Sequence, residues 1–153
     1  MNRSKLRENI FKLLYTAEFQ EKEEMPQQMS LYFMYSDDND EDEEVTVSEK
    51  DQTYMEEKYH HVTEHIPEID EMLNRTSEGW KTPRMGKVDL AILRLAVYEM
   101  KFDEDVPVGV AINEAVELAK KYDTEDAASF INGVLGSAAR AEFPQGKQES
   151  TNA

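Results

Sequence analysis

Residues 88–100 read VDLAILRLAVYEM, and the placing of the apolar side chains in this run decides the fold. Val88, Ala91, Ile92 and Leu95 stand at i, i+3, i+4 and i+7, which is one face of an α-helix; Leu90, Leu93, Val97 and Met100 form a second. A helix apolar on two faces has to be covered from more than one side, so a helix over about 85–102 is expected at the centre of a helical assembly.

The flanks carry the same periodicity. Downstream, Asp103, Glu104, Asp105 and Pro107 end the central helix, and Val110, Ile112, Ala115, Val116 and Ala119 mark the next. Lys120 and Lys121 close that helix at the end where its dipole favours cations. Thr124 is placed to cap a last helix whose buried stripe is Ala128, Ile131, Val134, Leu135 and Ala138. Upstream, residues 79–83 read as a connector. Before it, Ser48 opens a helix with Met55, Tyr59, Val62, Ile66, Ile69 and Leu73 in a seam of fours and threes, and Pro67 predicts a kink or a break within it. A short helix is expected from Pro26. At the start, Leu6, Ile10, Leu13, Leu14 and Ala17 share a face behind a Ser4 cap. No stretch alternates with period two. The expected fold is all-α, about seven helices in two small helical subdomains, 1–78 and 79–141, with 142–153 as a disordered tail.

Composition narrows the function. The 153 residues carry 33 Asp+Glu against 17 Lys+Arg, a formal net charge of -16, so a uniformly basic nucleic-acid binder is excluded and any such site must be a local patch. The absence of Cys removes disulfides, thiolate metal sites and thiol catalysis. No long uncharged apolar run is present, and a soluble, cytoplasmic protein with no membrane association is expected. The acidity is concentrated in residues 37–51, nine carboxylates against Lys50, which read as a solvated loop; the glycine that a calcium loop needs is missing. The opposite sign gathers at the start, where Arg3, Lys5, Arg7 and Lys12 face only Glu8; Arg3 and Arg7 flank the apolar face of the first helix while Lys5 and Lys12 point away from it.

Catalytic patterns are missing. There is no phosphate-binding Gly-rich loop and no G-x-S-x-G elbow. His61 and His65 have the i, i+4 spacing of metal ligands, but both fall off the buried face and no glutamate follows the first; a surface pair is the simpler reading. Neither an enzyme nor a metal or cofactor site is expected. Two residues of the last helix resist the core pattern. Phe130 lies about 100° from the apolar stripe with Asp126 one turn earlier on the same flank. Such a ring either packs under a neighbouring helix or offers a platform to an unstacked base. Tyr15 borders the first helix's apolar face, where its ring can pack while its hydroxyl reaches a partner.

The run at 88–100, the acidic turn with Val-Pro, AINEAVELAK and FINGVL together resemble the NusB family of bacterial transcription antitermination factors, and RENIFKLLY at 7–15 resembles its opening helix. The resemblance implies two helical subdomains, no catalysis, and binding of the single-stranded boxA element of ribosomal RNA leaders. It implies NusE, a small-subunit ribosomal protein, as partner, and RNA polymerase in an antitermination complex. By the same resemblance Arg3, Lys5, Arg7, Asp126 and Phe130 contact RNA, and Tyr15 and Asp89 lie on the partner-binding side. Some relatives form homodimers through the RNA surface. Two departures, Ser4 in place of a further arginine and the long acidic loop, imply weaker RNA binding by the isolated protein. The competing readings are a helical protein-interaction scaffold with reduced or no RNA binding, and a NusB-like module of a ribosomal RNA cytosine methyltransferase, whose catalytic domain this chain lacks.

Overall fold

The computed structural model describes residues 1–18, 47–77, 79 and 81–144. They form six α-helices: α1 (Arg3–Ala17), α2 (Glu49–Glu64), α3 (Ile66–Thr76), α4 (Lys87–Phe102), α5 (Val108–Tyr122) and α6 (Glu125–Glu142), with a 3-10 turn at Thr82–Arg84. There is no strand among the described residues. The helix expected from Pro26, most of the acidic loop and nearly all of the tail lie outside them. Glu49, Lys50 and Asp51, assigned to that loop, form the first turn of α2, where Glu49 and Asp51 complement the helix dipole.

The chain divides into two compact units, Met1–His61 and Val62–Ala153. The sequence placed a boundary at the 79–83 connector. The division falls earlier because α3 buries Ile69, Met72 and Leu73 and packs with α4 and α6, so the connector is internal to the second unit. Asn74 fastens it: its Oδ1 accepts from the Thr82 backbone N–H (2.8 Å), and its carbonyl accepts from Lys81 Nζ (2.6 Å). Gly79 turns the chain at φ +78°, where a side chain would be strained.

In the first unit, α1 starts at Arg3 because Asn2, not Ser4, is the cap; its Oδ1 accepts from the Lys5 N–H at 2.8 Å. Both residue types cap well, so spacing alone does not choose between them. Leu6, Ile10, Leu13 and Leu14 are buried as expected. Ser48 caps α2 through Oγ, which accepts from the Asp51 N–H (3.0 Å). The break at Pro67 also holds: α2 ends at Glu64, and α3 begins at Ile66 with Pro67 in its first turn.

The second unit is built around α4. Leu90, Ala91, Ile92, Leu93, Leu95, Val97 and Met100 are buried, and α3, α5 and α6 pack against it. On α5 the buried stripe is Ala111, Ala115, Leu118 and Ala119, while Val110 is 46 % exposed and Ile112 and Val116 are half-buried. Ala115 and Ala119 are buried as expected, while Ala111 and Leu118 are buried in place of Val110, Ile112 and Val116. Three alanines let α5 approach its neighbours closely, and the larger aliphatics stand at the margin. On α6 the stripe Ala128, Ile131, Val134, Leu135 and Ala138 is buried as read, and Thr124 Oγ1 caps it by accepting from the Ala127 N–H at 3.0 Å. A bidentate ion pair ties α4 to α3: Arg94 Nε and Nη2 donate to Asp70 Oδ1 and Oδ2 at 3.0 and 2.8 Å. At the far end of α3, Arg75 pairs with both Glu71 and Glu142. Among the described residues no helix is long and apolar enough to cross a membrane.

Candidate nucleic-acid interface

The expected site residues fall in both units. In the first, Arg3 is exposed on the opening turn of α1, and Lys5 is partly exposed with Nζ 3.3 Å from Glu8 Oε1. Arg7 is only 6 % exposed, beside buried Glu8 and Asn9. The helix wheel set it on the margin of the apolar face, and the margin is covered. The α-amino group of Met1 donates to Asp51 Oδ2 at 2.8 Å, joining the start of the chain to the first turn of α2. Asn9 Nδ2 donates to the Lys5 carbonyl (2.9 Å) and contacts Met1 Sδ (3.7 Å), which holds the terminus down. Tyr15 is half-buried, its ring 6.4 Å from that of buried Phe11.

In the second unit, Asp126 is exposed in the first turn of α6, and Phe130, one turn on, is half-buried. Phe130 is therefore not sealed in the core. It lines a cavity of about 370 Å³ with Ser77, Ser129, Gly133, Val134, Ser137 and Arg140. The cavity lies between the outer flank of α6 and the end of α3, which Ser137 Oγ links by donating to the Thr76 carbonyl at 2.8 Å. Asp89, half-buried in the first turn of α4, neighbours Asp123 at the end of α5. Burial, a hydrogen bond to Asp123 and the negative charge of Asp123 push the Asp89 carboxyl up to about 7.

His61 is exposed, and His65 packs on aromatic rings, with centroids 4.2 Å from Phe102 and 6.1 Å from Tyr98. Among the described residues no group of three or more His, Asp or Glu side chains is arranged to hold a metal.

Arg140, Gly133 and Ser77 were not anticipated. The first two could have been, since 126, 130, 133, 137 and 140 recur at fours and threes along one flank of α6. Ser77 had no local signal; it reaches the cavity only because α3 packs on α6.

The described residues form an all-helical framework with an aromatic ring and a carboxylate off the core face of α6, which places the chain among all-α proteins. More narrowly, the chain belongs to the NusB family, whose profile matches residues 4–140. It is 49 % identical over 135 residues to the transcription antitermination protein NusB of Agathobacter rectalis, covering 88 % of this chain and 97 % of that one. It is similar in structure to T. maritima NusB, with a TM-score of 0.73 and 31 % identity over 92 % of each chain. It is also similar, with a TM-score of 0.71 and 26 % identity over 91 % of this chain and 96 % of that one, to a chain in the crystal structure of antitermination factors NusB and NusE in complex with double-stranded RNA.

Proposed function

We propose that this protein is a transcription antitermination factor. It binds single-stranded boxA-type RNA of ribosomal RNA leader transcripts together with the ribosomal protein NusE, and the pair supports processive elongation by RNA polymerase in the cytoplasm. The role is binding, without catalysis. Membership of the NusB family supports the reading, and so does the structure of NusB and NusE with RNA. The single observation that carries it is the placing of Phe130 half-exposed beside exposed Asp126. A flat ring accepts an unpaired base, and the carboxylate accepts from an amino or imino donor on a base edge, which gives discrimination. Arg3 and Lys5 supply phosphate contacts that add affinity with little sequence information. Buried Arg7 contributes its field more than a direct contact. Tyr15 and Asp89 are assigned to the NusE side.

The burial of Arg7 and the Lys5–Glu8 pair favour one second reading: a scaffold that binds NusE and holds RNA weakly or not at all. Fluorescence anisotropy with a labelled boxA RNA, with and without NusE, separates them. Affinity that is modest alone and strengthened by NusE, with a scrambled RNA binding less well, supports antitermination. NusE binding with no RNA in either mixture leaves the scaffold. Sedimentation of the free protein reports whether a homodimer competes for the same surface.

A further inference from the structure

Several cations of the second unit are already held by carboxylates. Arg94 pairs with Asp70, Arg75 faces Glu71 and Glu142, and Lys120 Nζ stands 3.9 Å from Glu117 Oε1. Glu125 and Asp126 open α6 with negative charge, so a strand whose base is read there has to carry its phosphates elsewhere. The connector between α3 and α4 offers the opposite sign. From Gly79 to Val88 it holds Lys81, Arg84 and Lys87 and no carboxylate, and all three cations are exposed.

The place of the connector follows from what fastens its two ends. Upstream, Ser137 Oγ donates to the Thr76 carbonyl at 2.8 Å, which ties its start to α6. Downstream, the first turn of α4 brings Asp89 beside Asp123, just before the Thr124 cap of α6. From Thr124 to Ser137 is 13 residues, roughly 20 Å of helix axis. The connector therefore spans the part of α6 on which Asp126 and Phe130 stand. It is also held firmly. Thr82 and Met85 are buried, the Arg84 N–H donates to the Lys81 carbonyl (2.9 Å), and the Met85 N–H donates to the Thr82 carbonyl (3.1 Å). Cations on a held backbone lose less freedom on binding than cations on a loose one. The Arg84 guanidinium has no ion pair among the described residues. Lys81 gives one N–H to the Asn74 carbonyl and keeps donors for a second partner. Each cation follows the last by three residues, at most about 10 Å of chain, which is within reach of neighbouring phosphates on an extended strand.

We propose that this connector is a phosphate track for the RNA flanking the boxA element, with Arg84 and Lys87 on successive phosphates and Lys81 continuing the line. The proposal rests on the RNA-binding reading and adds a surface of another kind, one that lengthens the bound strand and fixes its course without reading its sequence. The nucleotides beside the element are held whatever their bases.

The test uses labelled RNAs on the full chain with NusE: the boxA element alone, and the element with oligouridine added at one end or at the other. Anisotropy across a salt series compares wild type, Arg84→Gln, Lys87→Gln and Lys101→Gln. Lys101 is the control, an exposed cation roughly 21 Å along α4 from Lys87, beyond the range of unscreened charge. Wild type is expected to hold one extended RNA more tightly than the element alone. Arg84→Gln and Lys87→Gln each weaken that extended RNA roughly fivefold at low salt and lower its log–log salt slope by about 0.7. Binding of the element alone, and all binding by Lys101→Gln, stay as in wild type. Equal losses on the short and extended RNAs, or no loss on either, overturn the track while RNA binding stands. Loss of NusE binding by the same variants, measured without RNA, turns these cations toward protein and overturns it too. If wild type with NusE binds none of the RNAs, the underlying reading fails, and this one with it.

Discussion

Asp89 in the first turn of α4 stands within hydrogen-bonding reach of Asp123, the residue that ends α5, so two carboxyls crowd one spot. The dipole at the start of α4 favours a charged Asp89 by roughly 0.3–1 kcal/mol, yet the carboxyl is pushed up to about 7. Burial and the like charge of Asp123 outweigh the dipole. Asp89 Oδ1 is itself buried with no hydrogen-bond partner, which is where the desolvation is felt.

This pair sets a pH dependence. The folded pKa lies above the ordinary carboxylate value, so between about 4 and 7 the folded state binds a proton that the unfolded state has released. The contribution is therefore stabilising at low pH and is lost as pH rises toward 7. Asp123→Asn removes the repulsion while keeping an acceptor for Asp89. The expected outcome is a melting temperature raised more at pH 8 than at pH 5, and an Asp89 titration, followed by carboxyl carbon NMR, that moves down. An equal shift at both pH values would detach the stability change from this proton.

The terminus gives the opposite sign. The hydrogen bond from the Met1 amino group, with smaller help from its charge, from Ser48 and from Lys50, holds the Asp51 carboxyl below its ordinary value. Stability from this pair is present above the unfolded carboxylate pKa and is lost as pH falls through the lowered one. Asp51→Asn should cost about 1 kcal/mol or less at pH 7 in urea unfolding, and nothing at pH 2. Acetylation of the α-amino group removes the same ion pair from the other side and should give a similar loss.

The Arg94–Asp70 fork is a strong polar tie within the second unit, because both its bonds are charge-assisted and both side chains are mostly buried. Asp70→Ala removes both bonds of the fork and is expected to cost roughly 1.5–3 kcal/mol. Arg75→Ala breaks more exposed pairs, with Glu71 and Glu142, and should cost less than Asp70→Ala. Chemical denaturation of the two variants side by side checks the order; a larger loss for Arg75→Ala would reverse it.

Burial periodicity made α4 and α6 legible, since a stripe such as Ala128, Ile131, Val134, Leu135 and Ala138 follows from spacing alone. On α5 it found Ala115 and Ala119 but missed Ala111 and Leu118, because an alanine carries a weak hydrophobic signal beside Val110 and Ile112. The burial of Arg7 was not legible, because a wheel gives an angle and whether a marginal angle is covered depends on neighbours the wheel does not contain. The off-stripe position of Phe130 was legible, whereas the cavity wall at Ser77 depends on α3 packing against α6, a contact between residues far apart in the chain.

That geometry separates the two roles a phenylalanine can have. A core ring replaced by alanine costs about 3–5 kcal/mol of stability, whereas a base-stacking ring costs roughly 1–3 kcal/mol of binding. Phe130 is half-buried on the rim of a cavity, outside the stripe formed by Ile131, Val134 and Leu135. Phe130→Ala is therefore expected to weaken boxA RNA binding by roughly 1–3 kcal/mol and to lower stability by less than the core figure. Phe130→Tyr keeps a flat ring and should retain most of the affinity. Exposed Asp126, one turn earlier, should behave differently: Asp126→Asn leaves the ring in place and alters which base is preferred more than how tightly RNA is held. Measuring affinity and melting temperature on the same preparations decides the matter, for a Phe130→Ala protein that melts early yet binds RNA at wild-type affinity would make the ring structural.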